Sequence, residues 1–461
     1  MAQPHVAVIG GGLAGITSAV RCADAGASVV LYEARRKLGG LTHSFHRGEL
    51  AVDNGQHVFL RCCAAYRELL DRLGVAGDVA LQDRMRIPVR RPHDPRTAVL
   101  RRGLGPAPLH LAGSVLGYHP LSVAERLRFG RAGLALRRLD PEAPATDRRD
   151  FGGWLREHGQ TDAAIDALWD LVGIATLNAR ADDASLALAA TVFQQGLLTE
   201  ATAADIGSSR VPLGRLHGEA ATAALVSAGA RVRTSTPVRR LTTDGTGWRV
   251  GADDPADDPA DNPVDEVFDA VVLAVPPPVA ERLLPADAVG LAQGWSRRLG
   301  ATPIVNVHVV LDRRVTEEPF LAGVDTEVQW VFDRTEPSGL SDGQYLALSL
   351  SAADELIDLP TERLRQRFLP ALAELLPAVR HAEVRDFFVT RERTATFRQA
   401  PGSSALRPGA RTGADGLYLA GAWTATGWPA TMEGAVRSGV TAAAALLDSW
   451  DSHRAREGVV A

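Results

Sequence analysis

VAVIGGGLAGITSAVRCADAGASVVLYEARRKLGG, from Val6 to Gly40, opens the chain on a complete βαβ unit. Val6 to Ile9 is a short apolar run of the length a buried parallel strand needs, and it ends in Gly10, Gly12 and Gly15 at G-x-G-x-x-G spacing. Ile16 to Ala25 then reads as a helix stopped by Gly26, and Ser28 to Tyr32 as a second strand ending in Glu33. Gly10 permits the tight turn, Gly12 lets backbone approach a pyrophosphate, and Gly15 lets helix and strand pack closely. The N–H groups opening the helix, at Leu13 and Ala14, point a positive dipole end at the phosphates. Glu33 is placed to accept hydrogen bonds from a ribose. Strand, glycine turn, helix, strand and acid together predict dinucleotide binding.

Beyond the ribose acid, Ala34 and Arg35 lead into Arg36-Lys37-Leu38-Gly39-Gly40 and Leu41. An arginine followed by paired glycines at this point resembles the second half of the FAD fingerprint of flavin amine oxidases and carotenoid-type desaturases. The resemblance implies FAD as cofactor, with these residues lining it.

At 461 residues the chain exceeds the size at which single cores stop growing, so more than one domain is expected. Hydrophobic content of 46% with 23% charged residues is ordinary for a globular protein. A net charge of -5 gives no electrostatic footprint for nucleic acid, and none is expected as partner. The first strand starts by residue 6, leaving no room for a signal peptide, and no apolar run reaches membrane-spanning length. The expected location is the cytoplasm, peripheral on the inner face of the cell membrane if the protein meets a bilayer. Cys22, Cys62 and Cys63 lack metal-ligand spacing and read as small core residues, so no metal is expected.

After the fingerprint, Glu49 to Leu60 reads as a strand, a polar turn at Asp53-Asn54-Gly55-Gln56-His57 and a return into a helix over Tyr66 to Leu73. Arg84 to about Gln195 is arginine-rich and mainly helical. Within it, Leu109 to Leu139 sets apolar residues beside Arg126, Arg128, Arg131, Arg137 and Arg138, a pattern that suits either a solvated helix or a membrane interface. Leu225 to Arg233 and Pro237 to Val250 return to strand patterns, and Ala270 to Val275 is another buried strand, ending at Ala274 and Val275. Between them DDPADDPADNPVDE, within 251–266, is too acidic and proline-rich to pack a core and reads as a disordered tip. Ile304 to Leu311, Val328 to Asp333, Tyr345 to Ser351 and Ala382 to Thr390 predict a second sheet, with a helix over Glu362 to Leu376. The chain returns at Leu417 to Gly421, crosses a loop and enters a long alanine-rich helix near Ala430.

The fold class is therefore α/β: a Rossmann-like FAD-binding domain interleaved with a mixed-sheet substrate domain and a helical cap. The FAD domain takes residues 1–83, 205–290 and 406–461, the cap 84–204, and the substrate sheet 291–405.

Three patches sharpen the resemblance: Asp53-Asn54-Gly55-Gln56-His57; the DxLWxLVGIATLN stretch from Asp166 to Asn178; and Arg393 to Phe397 followed by Trp423 to Thr431. With the closing MEGAVRSG segment they resemble the squalene-associated FAD-dependent desaturases, whose characterised role is hydroxysqualene dehydroxylation in squalene and hopanoid synthesis. The resemblance implies that Asn54, Gly55, Gln56 and His57 lie against the flavin and that Val238 packs on the adenine. It also implies that Ala274, Gly421, Ala422, Pro429, Ala430, Thr431 and Met432 close over the cofactor. Ala422 departs from the acidic residue usual after that glycine. Amine oxidases of this superfamily generally use an active-site lysine, and the only lysine here is Lys37, inside the dinucleotide motif, so amine oxidation is disfavoured.

The implied reaction removes an allylic hydroxyl reductively from hydroxysqualene or a similar C30 isoprenoid. The hydroxyl needs an acid, and the carbon needs a dry, apolar, aromatic pocket. His57 is the expected acid or the holder of the water that is, with Asp53 and Glu433 as competitors. Phe59, Trp169, Trp330, Phe397, Trp423 and Trp428 are the expected aromatic lining. No second G-x-G-x-x-G unit is present to house a nicotinamide, so electrons are expected from diffusing NAD(P)H or a partner reductase. The alternative is a carotenoid desaturase of the phytoene or diapophytoene type, running the flavin in the opposite direction.

Overall fold

The computed structural model describes residues 3–243, 245, 247–253 and 264–460, with side chains as far as residue 452. The opening unit forms as read: strand His5–Ile9, helix Leu13–Asp24 and strand Ser28–Tyr32. His5–Ile9 is the middle of a five-stranded sheet. Ser28–Tyr32 and then Arg231–Arg233 lie on one side of it, Ala270–Leu273 and then Leu417–Leu419 on the other. Every pairing is parallel. A parallel sheet is covered on both faces, which is why Val6, Ala7, Val8 and Ile9 are all buried rather than alternating.

One face packs on helix Leu13–Asp24 and the closing helix Met432–Val460. The two helices touch backbone to backbone: a Cβ on Gly439 would run into the Ala14 carbonyl, and Ser18 Oγ donates to the Gly439 carbonyl at 3.1 Å. The other face is covered by a three-stranded antiparallel sheet of Val238–Thr243, Trp248–Ala252 and Val264–Phe268. The acidic segment is therefore narrower than 251–266. Gly251, Ala252 and Val264 to Glu266 pair as strands, and Glu266 accepts from Arg231 and Arg233. The expected tip otherwise lies outside the described residues.

A seven-stranded mixed sheet forms the second layer, in the order Val384–Phe397, Ala301–Leu311, Gln344–Leu350, Trp330–Asp333, Phe320–Gly323, Arg86–Arg90, Ala98–Arg101. Val305, Val307, Val309 and Leu311 bury one face against helix Thr361–Leu375. Period-two alternation turns Ile304, Asn306 and His308 to the other face, toward the nucleotide domain. The last two strands lie in the segment read as mainly helical. RIPVR and AVLR are too short to carry a helical pattern; pairing of the first with Phe320–Gly323, and of the second with the first, is what makes them strands. Leu225 likewise belongs to helix Ala220–Ser227, and only Arg231–Arg233 extends as a strand.

Candidate active site

The nucleotide end is shaped by close approach. A Cβ on Gly15 would fall inside the Gly10 carbonyl oxygen, and one on Gly40 would lie 2.8 Å from the Gly12 Cα. Gly12 caps helix Leu13–Asp24 without a side-chain hydrogen bond, and Leu13 and Ala14 open it, both buried. Its first N–H groups are left for a ligand's phosphates. Glu33 Oε2 accepts from Gly11 N at 2.7 Å and Oε1 from Arg35 N at 2.8 Å, fixing the carboxylate while each oxygen keeps a lone pair. Gly39 takes a positive φ of 115° and donates to the Gly11 carbonyl, binding the second glycine pair to the first turn. Ala34, Arg35 and Leu41 are exposed at the rim. Thr236 N bonds the Glu33 carbonyl and so brings Val238 beside the acid. The Ala274 carbonyl closes on Gly10 so tightly that no Cβ fits between them.

At the far end, Asn54 is held by its carbonyl, which accepts from Asn306 Nδ2 at 3.4 Å and Thr390 Oγ1 at 3.2 Å. Gly55 lies over the His57 ring. Three buried polar atoms around this loop have no hydrogen-bond partner: Gln56 Nε2, Asn306 Oδ1 and His217 Nδ1. Donor and acceptor atoms left unsatisfied around one loop fit the mixed donor and acceptor edge of a flavin, since orphaned buried polar atoms call for a partner. These residues and the glycine cradle fit FAD along its length.

Of the three expected proton donors, the two carboxylates are otherwise engaged. Asp53 Oδ1 accepts from Ser44 Oγ at 2.5 Å and Leu213 N at 3.0 Å, and Oδ2 from Arg334 at 2.7 Å. Glu433 accepts from Ala65 N and Tyr66 N, capping helix Ala64–Arg72, and pairs with Arg437 at 2.7 Å. Both carboxylates anchor backbone. Burial lowers the His57 imidazole below its ordinary range, opposed by the Gly55 carbonyl 3.2 Å from Nδ1. A neutral ring bonded through Nδ1 presents Nε2 as an acceptor, so the donation expected from a reference pKa near 6.5 is not available there.

The closing loop is organised by a residue with no sequence signal. Arg407 is buried, and its guanidinium donates to the carbonyls of Ala422, Trp423, Thr424 and Trp428 and stacks over Phe397. Burial lowers it to about 10, opposed by the charge of Asp147. Gly421, at φ 144°, donates to Ser438 Oγ, while Ala430 N is fixed by Gln399 Oε1 at 2.9 Å. Pro429 and Thr431 shape the entry to the closing helix, where Thr431 Oγ1 accepts from Gly434 N ahead of Met432. Asn178, ending the DxLWxLVGIATLN stretch, caps its helix in the left-handed conformation and clamps Thr302, Ala352 and Thr396.

Of the six aromatic residues expected to line the pocket, Trp169, Phe397, Trp423 and Phe59 are core residues. Trp428 is covered by the Arg437 guanidinium. Trp330 lines a cleft, of about 220 Å³, between the helical segment and the seven-stranded sheet. Leu60, Val172, Leu197 and Phe332 are half-buried and pack on the same hydrophobic cluster as Trp330, apart from the residues that line the cleft.

Fold and site together define an FAD-dependent oxidoreductase. The chain belongs to the family of flavin-containing amine oxidoreductases, which it matches over residues 13–447. Within that family it is similar over nearly its whole length to hydroxysqualene dehydroxylases. It is 32% identical to that of Rhodopseudomonas palustris, covering 96% of this chain and 98% of the relative. It is 30% identical to that of Sinorhizobium fredii, covering 95% and 97%. Among solved structures, putrescine oxidase bound to putrescine superposes with a TM-score of 0.70 at 20% identity, covering 97% of this chain and 99% of that one, a likeness of fold.

Proposed function

We propose that the protein reduces hydroxysqualene, or a closely similar C30 isoprenoid alcohol, to the parent hydrocarbon with loss of water. The near full-length match to two hydroxysqualene dehydroxylases carries this reading. The half-buried cluster of Leu60, Val172, Leu197, Trp330 and Phe332 supports it, since an apolar chain needs an apolar wall. FAD, when bound and reduced, supplies the hydride equivalent. The protein's part is to hold the cofactor between the glycine turn and the Asn54 to His57 loop, to orient the substrate along the cluster, and to exclude water. Electrons come from outside the chain, as NAD(P)H or a reductase.

The test is anaerobic. Reduced holoprotein mixed with hydroxysqualene should regain its oxidised absorbance while squalene appears in the lipid extract, one per flavin. If the flavin stays reduced and the oxidised protein is instead bleached by a phytoene-type polyene, the chain is a desaturase.

Such a substrate is delivered from a bilayer, and we place the docking face on the arginine-rich segment. Among the described residues, six of the eleven exposed large apolar side chains fall between Leu104 and Leu134. Val123, Leu127 and Leu134 share one face of helix Val123–Arg137, within about 40° of each other at roughly 100° per residue. Ala132 and Leu136 bury the opposite face. The outer stripe is flanked by Arg126, Arg131, Arg137 and Arg138, so its apolar side chains are bordered by positive charge that an anionic surface would attract. Among the described residues no helix is long and apolar enough to cross a membrane. The protein should co-sediment with phosphatidylglycerol-containing vesicles and not with purely zwitterionic ones. Leu127→Asp with Leu134→Asp should cut the bound fraction at least tenfold, since each buried leucine contributes about 1.5–3 kcal/mol. Unchanged sedimentation would remove this face from the reading.

A further inference from the structure

The Asn54 carbonyl, in the loop placed against the flavin, is the end of a chain of hydrogen bonds rooted in the seven-stranded sheet. Asn306 and Thr390 are paired across strands Ala301–Leu311 and Val384–Phe397, and both donate to that carbonyl. His308 follows Asn306 on the same face of its strand, with Nε2 3.0 Å from Thr390 Oγ1. Tyr345, on the neighbouring strand Gln344–Leu350, brings its hydroxyl to 2.7 Å from His308 Nδ1. Asn306, His308 and Tyr345 are buried. The His308 ring is fixed in its plane by stacking on Phe388, with centroids 4.5 Å apart and planes inclined by 7°.

The direction of each bond follows from the last one. A carbonyl only accepts, so the Thr390 hydroxyl proton is committed to Asn54. Thr390 Oγ1 then accepts from His308, whose Nε2 carries the ring proton. Nδ1 is left with a lone pair, which accepts the Tyr345 hydroxyl. One tautomer satisfies all three bonds, and a second ring proton would turn the Tyr345 donor away. Burial, and then the charges of Arg334 and Arg47, keep the imidazole neutral by lowering it to about 3. The Asn54–Gly55 peptide is trans, so the Gly55 N–H points opposite to the Asn54 carbonyl, away from the sheet and toward the nucleotide side. Gly55 is buried, and among the described residues its N–H has no partner. A buried N–H without an acceptor is rare, and the cofactor supplies one here.

We propose that Tyr345, His308 and Thr390 form a directed hydrogen-bond relay that holds and polarises the Asn54–Gly55 peptide, so that its N–H favours reduced over oxidised flavin. The three are positioning residues, acting on the cofactor through a backbone group. The inference rests on the placement of the Asn54 to His57 loop against the flavin and is independent of which substrate is reduced. Donors on a carbonyl draw electron density from the N–H of the same peptide and strengthen it as a donor. Reduction adds electron density to the flavin ring, and a hydrogen bond to the more negative acceptor is the stronger one. The relay therefore helps the flavin hold electrons delivered from outside until substrate arrives.

The readout is the midpoint potential of bound FAD, measured by anaerobic dye-coupled titration of the holoprotein. Thr390→Val removes the hydroxyl at nearly constant shape, and the preference of the site for reduced flavin should fall about tenfold, a drop of about 30 mV in the two-electron midpoint. Tyr345→Phe touches nothing at the loop but frees His308 to take the other tautomer, so that Thr390 can turn its proton from Asn54 to Nε2. The midpoint should drop in the same direction. Thr390→Ser keeps the hydroxyl and should restore the native value. The double variant Tyr345→Phe with Thr390→Val should drop no further than Thr390→Val alone, because Tyr345 acts only through Thr390, whereas a general loosening would add the two effects. Gln56→Leu tests the placement of the loop separately: it removes the unpartnered Nε2 and should shift the flavin absorption bands. Shifted bands in Gln56→Leu, with native midpoints in Thr390→Val and Tyr345→Phe, overturn the relay and leave the placement standing. Unshifted bands together with native midpoints bring down both. If Thr390→Val loses its flavin, Tyr345→Phe decides, and a native midpoint there overturns the proposal.

Discussion

Gly15→Ala is expected to purify colourless, with flavin per chain down at least tenfold by absorbance and a lowered thermal midpoint. The added methyl has nowhere to go, because its position lies inside the Gly10 carbonyl oxygen and 3.2 Å from the Ala274 Cβ. Both neighbours are fixed, Gly10 by its hydrogen bond to the Tyr32 carbonyl at 2.8 Å and Ala274 by its own to Ile9 at 2.8 Å. The strain can be relieved only by sliding helix Leu13–Asp24 off the sheet. That movement carries the helix N-terminus away from the pyrophosphate, and it meets the closing helix packed at Gly439 on the other side. Gly77→Ala is the control: nothing lies within 4 Å of its added carbon, and flavin content should be unchanged. A yellow Gly15→Ala protein with native stoichiometry would contradict the account of the turn.

Asp205→Ala should cost about 3–5 kcal/mol of unfolding free energy, read from denaturant titration, because it leaves two arginines without their partner. Asp205 has no exposed side-chain surface, and all of its capacity is used. Oδ1 accepts from Met85 N at 2.7 Å and Arg102 at 3.0 Å, and Oδ2 from Arg61 at 2.9 Å and Arg102 at 3.1 Å. The group staples three pieces of chain: the residue after strand Val58–Leu60, the start of strand Arg86–Arg90, and the end of strand Ala98–Arg101. Asp205→Asn, which preserves acceptance by one oxygen, should lose less than the alanine variant. Strand Val58–Leu60 follows His57 directly, so flavin retention should fall with stability. Equal stability of native and Asp205→Ala chains would show that the arginines find water instead.

The two residues are not equally legible in the sequence. Gly15 is legible because its reason is local: the turn, the helix and the next strand all lie within a few dozen residues, and only glycine satisfies their spacing. Asp205 carries no motif, and its partners Arg61 and Arg102 lie 144 and 103 residues away. The same distance in sequence separates the candidate carboxylates from the groups that occupy them. Asp53, in a polar turn, reads as available until Arg334 arrives from 281 residues away. Glu433 reads as a carboxylate at a helix start until Tyr66 N meets it from 367 residues away. Asp170 lies within the Asp166 to Asn178 stretch, but what lifts its carboxyl is burial, and burial is not a property of a stretch.

Arg86–Arg90 and Ala98–Arg101 show the same division at the level of elements. Their patterns are too short to decide between helix and strand, and the exposed edge of a sheet built from residues 301–397 supplies the pairing that settles them. By itself the sequence determined what depends on backbone sterics and short-range periodicity: the parallel βαβ unit, the glycine cradle for FAD, the buried strands and the closing helix. The tertiary structure decided which polar groups are spent on holding the chain together, where Arg407 draws the closing loop inward, and which carboxyl is left buried with a free oxygen. Hydrogen-bond saturation and desolvation depend on partners that only folding brings together.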